Sequence, residues 1–474
     1  MSFSSLQFGV FILIVYPLYL LLPFRWQNRM LLVASYIFDG AWDWRFLGLL
    51  WFTTLLDYLV GLLLGRIEEP GQRRLCIMAS VVANLGVLGF FKYFNFFAGS
   101  LDALSAKFGI HLGWTTLNII LPVGVSFYTF QSMSYTIDVY FKHMKPTKSL
   151  QNFALYVVFF PQLVAGPIER AVDLVPRVER PRTVTLDGFA RGVYLILFGL
   201  FKKIAISDGV AASVNAFYGT SGAVSGLDVV LATYLFAVQI YCDFSGYSDI
   251  ARGLAKIMGF ELMTNFNLPY FAVNPSEFWR RWHISLSTWL RDYLYIVLGG
   301  NRFGELKTYR NLMTTMVLGG LWHGAAWNFV LWGAYQGAIL CVHRLIMGAK
   351  SAVRKPRSIW TVAIYSIQLI LFFQVVCYGW LLFRARSFDQ IELYTRALFQ
   401  GYDLTSITVP RPPFSALVGL AILVVLEVFQ YASGDAQFYR QWPRPVRGAL
   451  YACVTFILLM GLSNAPTQFI YFQF

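Results

Sequence analysis

Residues 319–333 read GGLWHGAAWNFVLWG. The stretch holds one titratable side chain, His323, among glycines, alanines and tryptophans. It sits inside an apolar run, 311–345, and whether that run lies in a membrane decides the fold. The rest of the chain answers. Of 474 residues, 57% are hydrophobic, 18% aromatic and only 13% charged, against roughly 25% charged in soluble domains. Apolar runs able to cross about 30 Å of hydrocarbon recur along the whole length. The expectation is an all-α polytopic integral membrane protein.

Working outward from 311–345, candidate spans fall near 7–24, 30–41, 46–65, 75–96, 117–137, 150–165, 188–201, 228–245, 361–383, 414–432 and 447–463. The 30–41 and 150–165 runs are short enough to be tilted, re-entrant or packed inside the bundle. QFGVFILIVYPLYLLLPF (7–24) lacks a small-residue cleavage site, and Arg25 follows it directly, so it reads as a retained first span rather than a signal peptide. No internal repeat and no low-complexity linker interrupts the chain, which reads as one membrane-embedded domain over 1–474.

The net charge of +14 does not mark a nucleic-acid binder, because no basic domain stands apart from the spans. Lys and Arg gather at 25–29, 66–74, 142–148, 344–357 and 440–447, as short cytoplasmic loops require. This puts the first basic loop in the cytoplasm and the N-terminus outside. The 384–396 segment, with Arg384, Arg386 and Arg396, fits that scheme badly. The five cysteines are scattered without a CxxC pair, which argues against a disulfide framework or a zinc site.

Three further stretches carry chemistry. In NPSEFWRRWHISLSTWLRDYLYIVLGGNR (274–302), Asn274, Pro275 and Glu277 form a helix start. Trp279, Trp282, Leu286, Trp289 and Tyr293 recur at three and four, predicting one helix with an aromatic stripe. Glu277, Arg280, Arg281, His283, Arg291 and Asp292 are too many for a lipid-facing span, since a central charge costs about 2.5–3.5 kcal/mol. Two readings stand: an interfacial amphipathic helix with Arg280 and Arg281 on lipid phosphates, or an inward helix presenting His283 and two guanidiniums to an anionic ligand. YCDFSGYSDIARG (241–253) places Asp243, Asp249 and Arg252 after an apolar run, with Asp249 and Arg252 spaced as an internal ion pair. FFPQLVAGPIER (159–170) carries Pro161 and Pro167, so the segment is kinked or re-entrant.

His143 and His343 stand at span ends beside Lys142 and Arg344, and His111 lies in a loop. His323 alone is deep in its apolar segment. Gly319, Gly320 and Gly324 thin its surroundings, so either a second helix packs close or space is left beside the imidazole. It reads as a histidine bonded between helices or as a general base, whose reference pKa of about 6.5 suits proton transfer.

NFNLPYFAVNPSEFWRRWHISLSTWLRDYLY (265–295) followed by GGLWHGAAWNFVLWG resembles the membrane-bound O-acyltransferase (MBOAT) superfamily, and within it the bacterial polysaccharide O-acetylation branch typified by alginate O-acetyltransferase membrane subunits. LPVGVSFYTFQSMSYTIDVY (121–140), FPQLVAGPIER and the ending FIYFQF strengthen the likeness, whose core runs from about 120 to 345. The resemblance implies a bundle of about 11–12 transmembrane helices, with re-entrant and amphipathic helices, around a central tunnel. It gives the catalytic positions to His323 and His283. Arg280, Arg281, Trp279 and Trp282 are then expected at a donor site, and Asp243, Asp249, Asn328 and Trp327 as structural or tunnel-lining residues. It also implies acetyl-CoA as acyl donor with no bound cofactor or metal, an extracytoplasmic acetyltransferase or lipoprotein partner, contact with membrane lipids, and a place in the bacterial inner membrane. Peptidoglycan, cellulose or a teichoic acid are alternative acceptors. A transporter or channel without chemistry is the rival class, supported by broken helices and intramembrane charge and opposed by the absence of an inverted repeat.

Overall fold

The computed structural model describes residues 1–110, 117, 119–122, 124–163, 166–220, 222, 224–348, 358–402, 407–462, 467, 469 and 470. His111, part of the basic stretch 344–357 and most of FIYFQF lie outside them. Among the described residues every regular element is helical. They form two compact units, 1–193 with 251–263, and 194–250 with 264–474.

The first unit contains α1 (Leu6–Leu21), α2 (Phe24–Asp43), α3 (Leu47–Leu64), α4 (Pro70–Leu88), α5 (Phe94–Ala106), α6 (Val125–Tyr140), α7 (Leu150–Val158), α8 (Phe160–Leu163) and α9 (Ala171–Glu179). Proline sets several boundaries: Pro23 caps α2, and Pro70 opens α4. The 150–165 run is kinked as expected. Helix α7 stops at Val158, α8 is one turn, and residues 153–163 are buried in protein. Helices α3, α4 and α6 are tied by Asp57. Its buried carboxylate accepts from Ser80 at 2.6 Å, from Asn84 at 2.9 and 3.1 Å, and from Ser132. A carboxylate without such donors would be costly in this setting.

The unit boundary falls within α10 (Leu186–Leu200) and again within α12 (Gly226–Ile257). The second unit holds α11 (Asp208–Gly219), α13 (Pro275–Arg281), α14 (Ile284–Leu290), α15 (Glu305–His323), α16 (Trp327–Met347), α17 (Ile359–Arg384), α18 (Phe388–Ala397), α19 (Phe414–Ser433) and α20 (Arg444–Gly461). Seven helical stretches among the described residues are long and apolar enough to span a membrane. Two of these, 24–64 and 70–106, contain more than one helix. Helix α6, which is not one of the seven, is almost wholly buried and so carries polar residues that a lipid-facing helix could not.

Two sequence expectations change here. The apolar run 228–245 extends into a helix of 32 residues, because the charges that seemed to end it are paired inside the protein. Asp243 meets Lys203 at 2.6 Å, and Asp249 meets Lys202 at 2.6 Å. Arg384, which spoiled the loop-charge scheme, is not a loop cation. It is buried in the last turn of α17 and donates to Asn215 at 2.8 Å.

The expected span 311–345 is two helices, α15 and α16, that pack on each other through glycine. A Cβ at Gly320 would collide with the carbonyl of Phe329 and the backbone of Gly333, and one at Gly333 with the Met316 carbonyl. These glycines serve close helix packing, not open space. Gly320→Ala should therefore destabilise the protein by about 1–3 kcal/mol through overpacking, and Gly86→Ala, at an exposed helix position with nothing near, should not. Thermal unfolding in detergent compares the two.

Candidate active site

The functional stretch 274–302 begins as its sequence indicates. Asn274 caps α13, its Oδ1 accepting the Glu277 N–H at 2.9 Å, and Pro275 takes the first helical position. Glu277 does not close a capping box on Asn274. Its carboxylate accepts from the Val273 N–H at 3.1 Å and pairs with Arg281 at 2.8 Å.

The single helix expected here is instead two. Helix α13 ends at Arg281, Trp282 is extended, and His283 stands in the left-handed region at φ 43° before α14 begins. That conformation costs a non-glycine residue about 1–2 kcal/mol, so something must hold it. The segment 265–267 does: Asn267 N–H donates to the Arg281 carbonyl and Ile284 N–H to the Asn265 carbonyl, both at 2.9 Å. The Asn265 side chain completes the clamp. Its Oδ1 accepts from Ser285 N–H at 3.2 Å and Ser285 Oγ at 2.9 Å, and lies 3.2 Å from His283 Nδ1. A backbone N–H can only donate, so the atom facing His283 is the amide oxygen. The neutral ring then carries its proton on Nδ1 and its lone pair on Nε2. His283 is fully buried and lies outside the candidate spans, and burial lowers its pKa to about 3. It is neutral throughout the physiological range.

His323 does not sit mid-span. It is the last residue of α15, and Gly324 is extended before α16 starts at Trp327. Its ring is buried and walled edge-on by Trp332 at 5.2 Å and Phe383 at 5.5 Å, with Trp322 at 5.1 Å. The centroids of His323 and His283 are 6.2 Å apart. Two histidines 40 positions apart in sequence thus meet, each at a place where a helix stops.

The other expected residues divide. Trp282 is buried, stacked on Phe278 and 4.7 Å from Trp380, while Trp279 lies edge-on to Trp332 at 5.9 Å. Both build the aromatic wall behind the histidines. Arg281 is committed to Glu277 and to the Asn267 carbonyl, and Arg280 is exposed. Asn328 is structural: its amide donates to the carbonyls of Phe383 and Ala385 at 3.1 and 3.0 Å, which fixes Phe383 beside His323. Trp327 is 51% exposed. Asp243 and Asp249 are structural anchors. Asp243 also accepts the Ile470 N–H at 2.7 Å, and this docks Phe469 on Phe244, whose ring lies edge-on to His283 at 4.6 Å.

Sequence reasoning missed Asn265 as the residue that orients His283. It also missed Lys202 and Lys203, which sit on a π-helical turn, Phe201–Ser207, often a mark of a functional site. FKKIAIS carries two lysines in an apolar run, and that signal was available.

Compared with known proteins, residues 142–382 match the membrane-bound O-acyltransferase family. The chain belongs to that family. It is 42% identical over 458 residues to "Probable alginate O-acetylase AlgI" of Azotobacter vinelandii, covering 95% of this chain and 87% of that protein. It is 34% identical to the peptidoglycan O-acetyltransferase of Helicobacter pylori over 80% of this chain and 74% of the relative. Against the teichoic acid D-alanyltransferase of Bacillus subtilis the figures are 27%, 57% and 70%. The chain is an O-acyltransferase and a multi-pass membrane protein, with relatives named for acylating alginate, peptidoglycan and teichoic acid. The transporter reading is set aside.

Asn265→Ala should release the His283 ring and lower turnover by up to about 10²-fold, the scale of a 1 Å misplacement, while leaving KM for the acyl donor little changed. Steady-state acyl transfer by membranes containing each variant measures both constants. A rise in KM alone would assign Asn265 to binding instead.

Proposed function

We propose that this acyltransferase moves acetyl groups from a cytoplasmic thioester, acetyl-CoA, for O-acetylation of an extracytoplasmic polysaccharide of the alginate type. The observation that carries the reading is the pair of buried imidazoles, 6.2 Å apart at two helix breaks. His323 serves as general base. It takes the proton of an acceptor hydroxyl, and the oxygen attacks the thioester carbonyl. The C–O bond forms, the C–S bond breaks, and the proton passes from the imidazolium to the departing sulfur. His283, neutral and oriented by Asn265, presents its Nε2 to the same reaction space. Arg280, exposed beside this junction, supplies a guanidinium for the donor's phosphates.

The acceptor reading follows similarity. The alginate relative matches at higher identity and over more of the chain than the peptidoglycan or teichoic acid relatives. The direct acceptor is either the sugar or a separate extracytoplasmic acetyltransferase that passes the group on, and the protein resides in the bacterial inner membrane.

His323→Ala should lower transfer of labelled acetyl from acetyl-CoA by about 10²–10⁴-fold while the protein still accumulates in membranes. Wild-type rates from the variant would remove His323 from the chemistry, and loss of the folded protein would make it a structural histidine.

Sidedness is tested separately. The density of cations at Arg302, Lys307 and Arg310 supports a cytoplasmic position for the 300–310 segment. Phe303→Cys, at an exposed position, should resist a membrane-impermeant thiol reagent on intact cells and react once the cells are opened. Labelling from outside would reverse the donor route.

A further inference from the structure

Away from the histidines, α12, α17 and α19 line a partly open cavity of about 740 Å³. All three helices are candidate membrane spans. Helix α19 lines it with Leu417, Leu420, Val424 and Glu427, one face at helical spacing, and Leu235 and Phe373 face them from α12 and α17. A sugar would find few hydrogen-bonding groups in such a lining. We propose that this cavity holds one acyl chain of an anionic bilayer phospholipid, with the lipid phosphate on Arg411.

Length, depth and charge favour that occupant. Leu417 to Glu427 is a rise of about 15 Å along α19, half of the ~30 Å hydrocarbon thickness. The cavity therefore runs the depth of one leaflet. Arg411 lines its mouth, is exposed, and precedes the start of α19 at Phe414, where a span meets the headgroup layer. Among the described residues no carboxylate pairs with it.

Two lining residues of the cavity adjoin the aromatic wall of the candidate active site. Tyr241 donates to Glu427, and Tyr270 donates to the Ala237 carbonyl at 2.6 Å, which turns both rings into a fixed floor. Those rings lie 6.4 and 6.1 Å from Trp282, the residue before His283. A chain in the cavity packs the wall of the histidine site from behind. This inference does not depend on which polysaccharide is acetylated.

The test uses full-length protein purified from bacterial membranes, stripped by repeated detergent exchange, with the bound lipid identified by mass spectrometry. Wild type should retain a diacyl phospholipid with an anionic headgroup. Leu420→Trp, which fills the cavity, should retain at least about tenfold less, given ~0.8 kcal/mol for each methylene excluded. On adding back lipid, Arg411→Gln should lose about fivefold in preference for phosphatidylglycerol over phosphatidylcholine, the weight of one basic residue at a headgroup. Equal retention by Leu420→Trp would overturn the proposal, as would a wild type that keeps no lipid, a neutral lipid or a polyprenyl phosphate. Unchanged headgroup preference in Arg411→Gln would overturn the role of that residue. Leu231→Trp fills the same cavity from α12, so misfolding of one variant leaves the test standing.

Discussion

Inside hydrocarbon, every charge and every backbone group that a helix leaves open must find its partner within the protein. The second unit obeys this constraint at each place where it departs from a simple bundle of spans. Lys203 lies buried between Asp208 and Asp243, at 2.8 and 2.6 Å. That pairing, with Lys202 on Asp249, lets α12 continue as helix past Asp243 and Asp249, and Asp243 also fastens Ile470 to it. Where α13 gives out at Arg281, the backbone groups it leaves open are taken by residues 265–267, and the histidine at the break is thereby fixed.

The histidine pair owes its surroundings to those same interruptions. A histidine in the middle of a continuous helix has neighbours from its own turns on both sides. At the end of α15, His323 is instead ringed by side chains from α16 and α17, and His283 reaches it from a different break. Aromatic rings line the histidine pair, so the imidazoles sit in a setting of low polarity. The arginines beside them are not equivalent. Arg281 is spent on holding α13 to Glu277, which leaves Arg280 as the exposed cation of the pair.

Much of this was legible in the chain. Composition and apolar runs established an all-helical membrane protein. The capping residues Asn274 and Pro275 marked the start of α13. His323 stood out as an imidazole deep in an apolar run, His283 took its role from the family resemblance, and the glycines around 320 left close helix packing and open space as alternatives. Periodicity alone failed at the breaks. The aromatic stripe from Trp279 to Tyr293 has the spacing of one helix, and the apolar run 311–345 has no proline to stop it, yet both are divided in space.

The reason is the range over which each property is decided. Hydrophobicity, span candidates and helix starts depend on neighbours within a few turns, so the sequence by itself determined them. The left-handed backbone at His283, the extended Gly324 and the meeting of two histidines depend on residues such as Asn265 and Phe383 that arrive from elsewhere in the chain. The Lys202–Asp249 and Lys203–Asp243 pairs join positions some 40 or more residues apart. No local spacing encodes those encounters. Only the tertiary structure decided them, because burial there removed water as a partner and left the protein's own distant groups as the means of satisfying each charge and each open hydrogen bond.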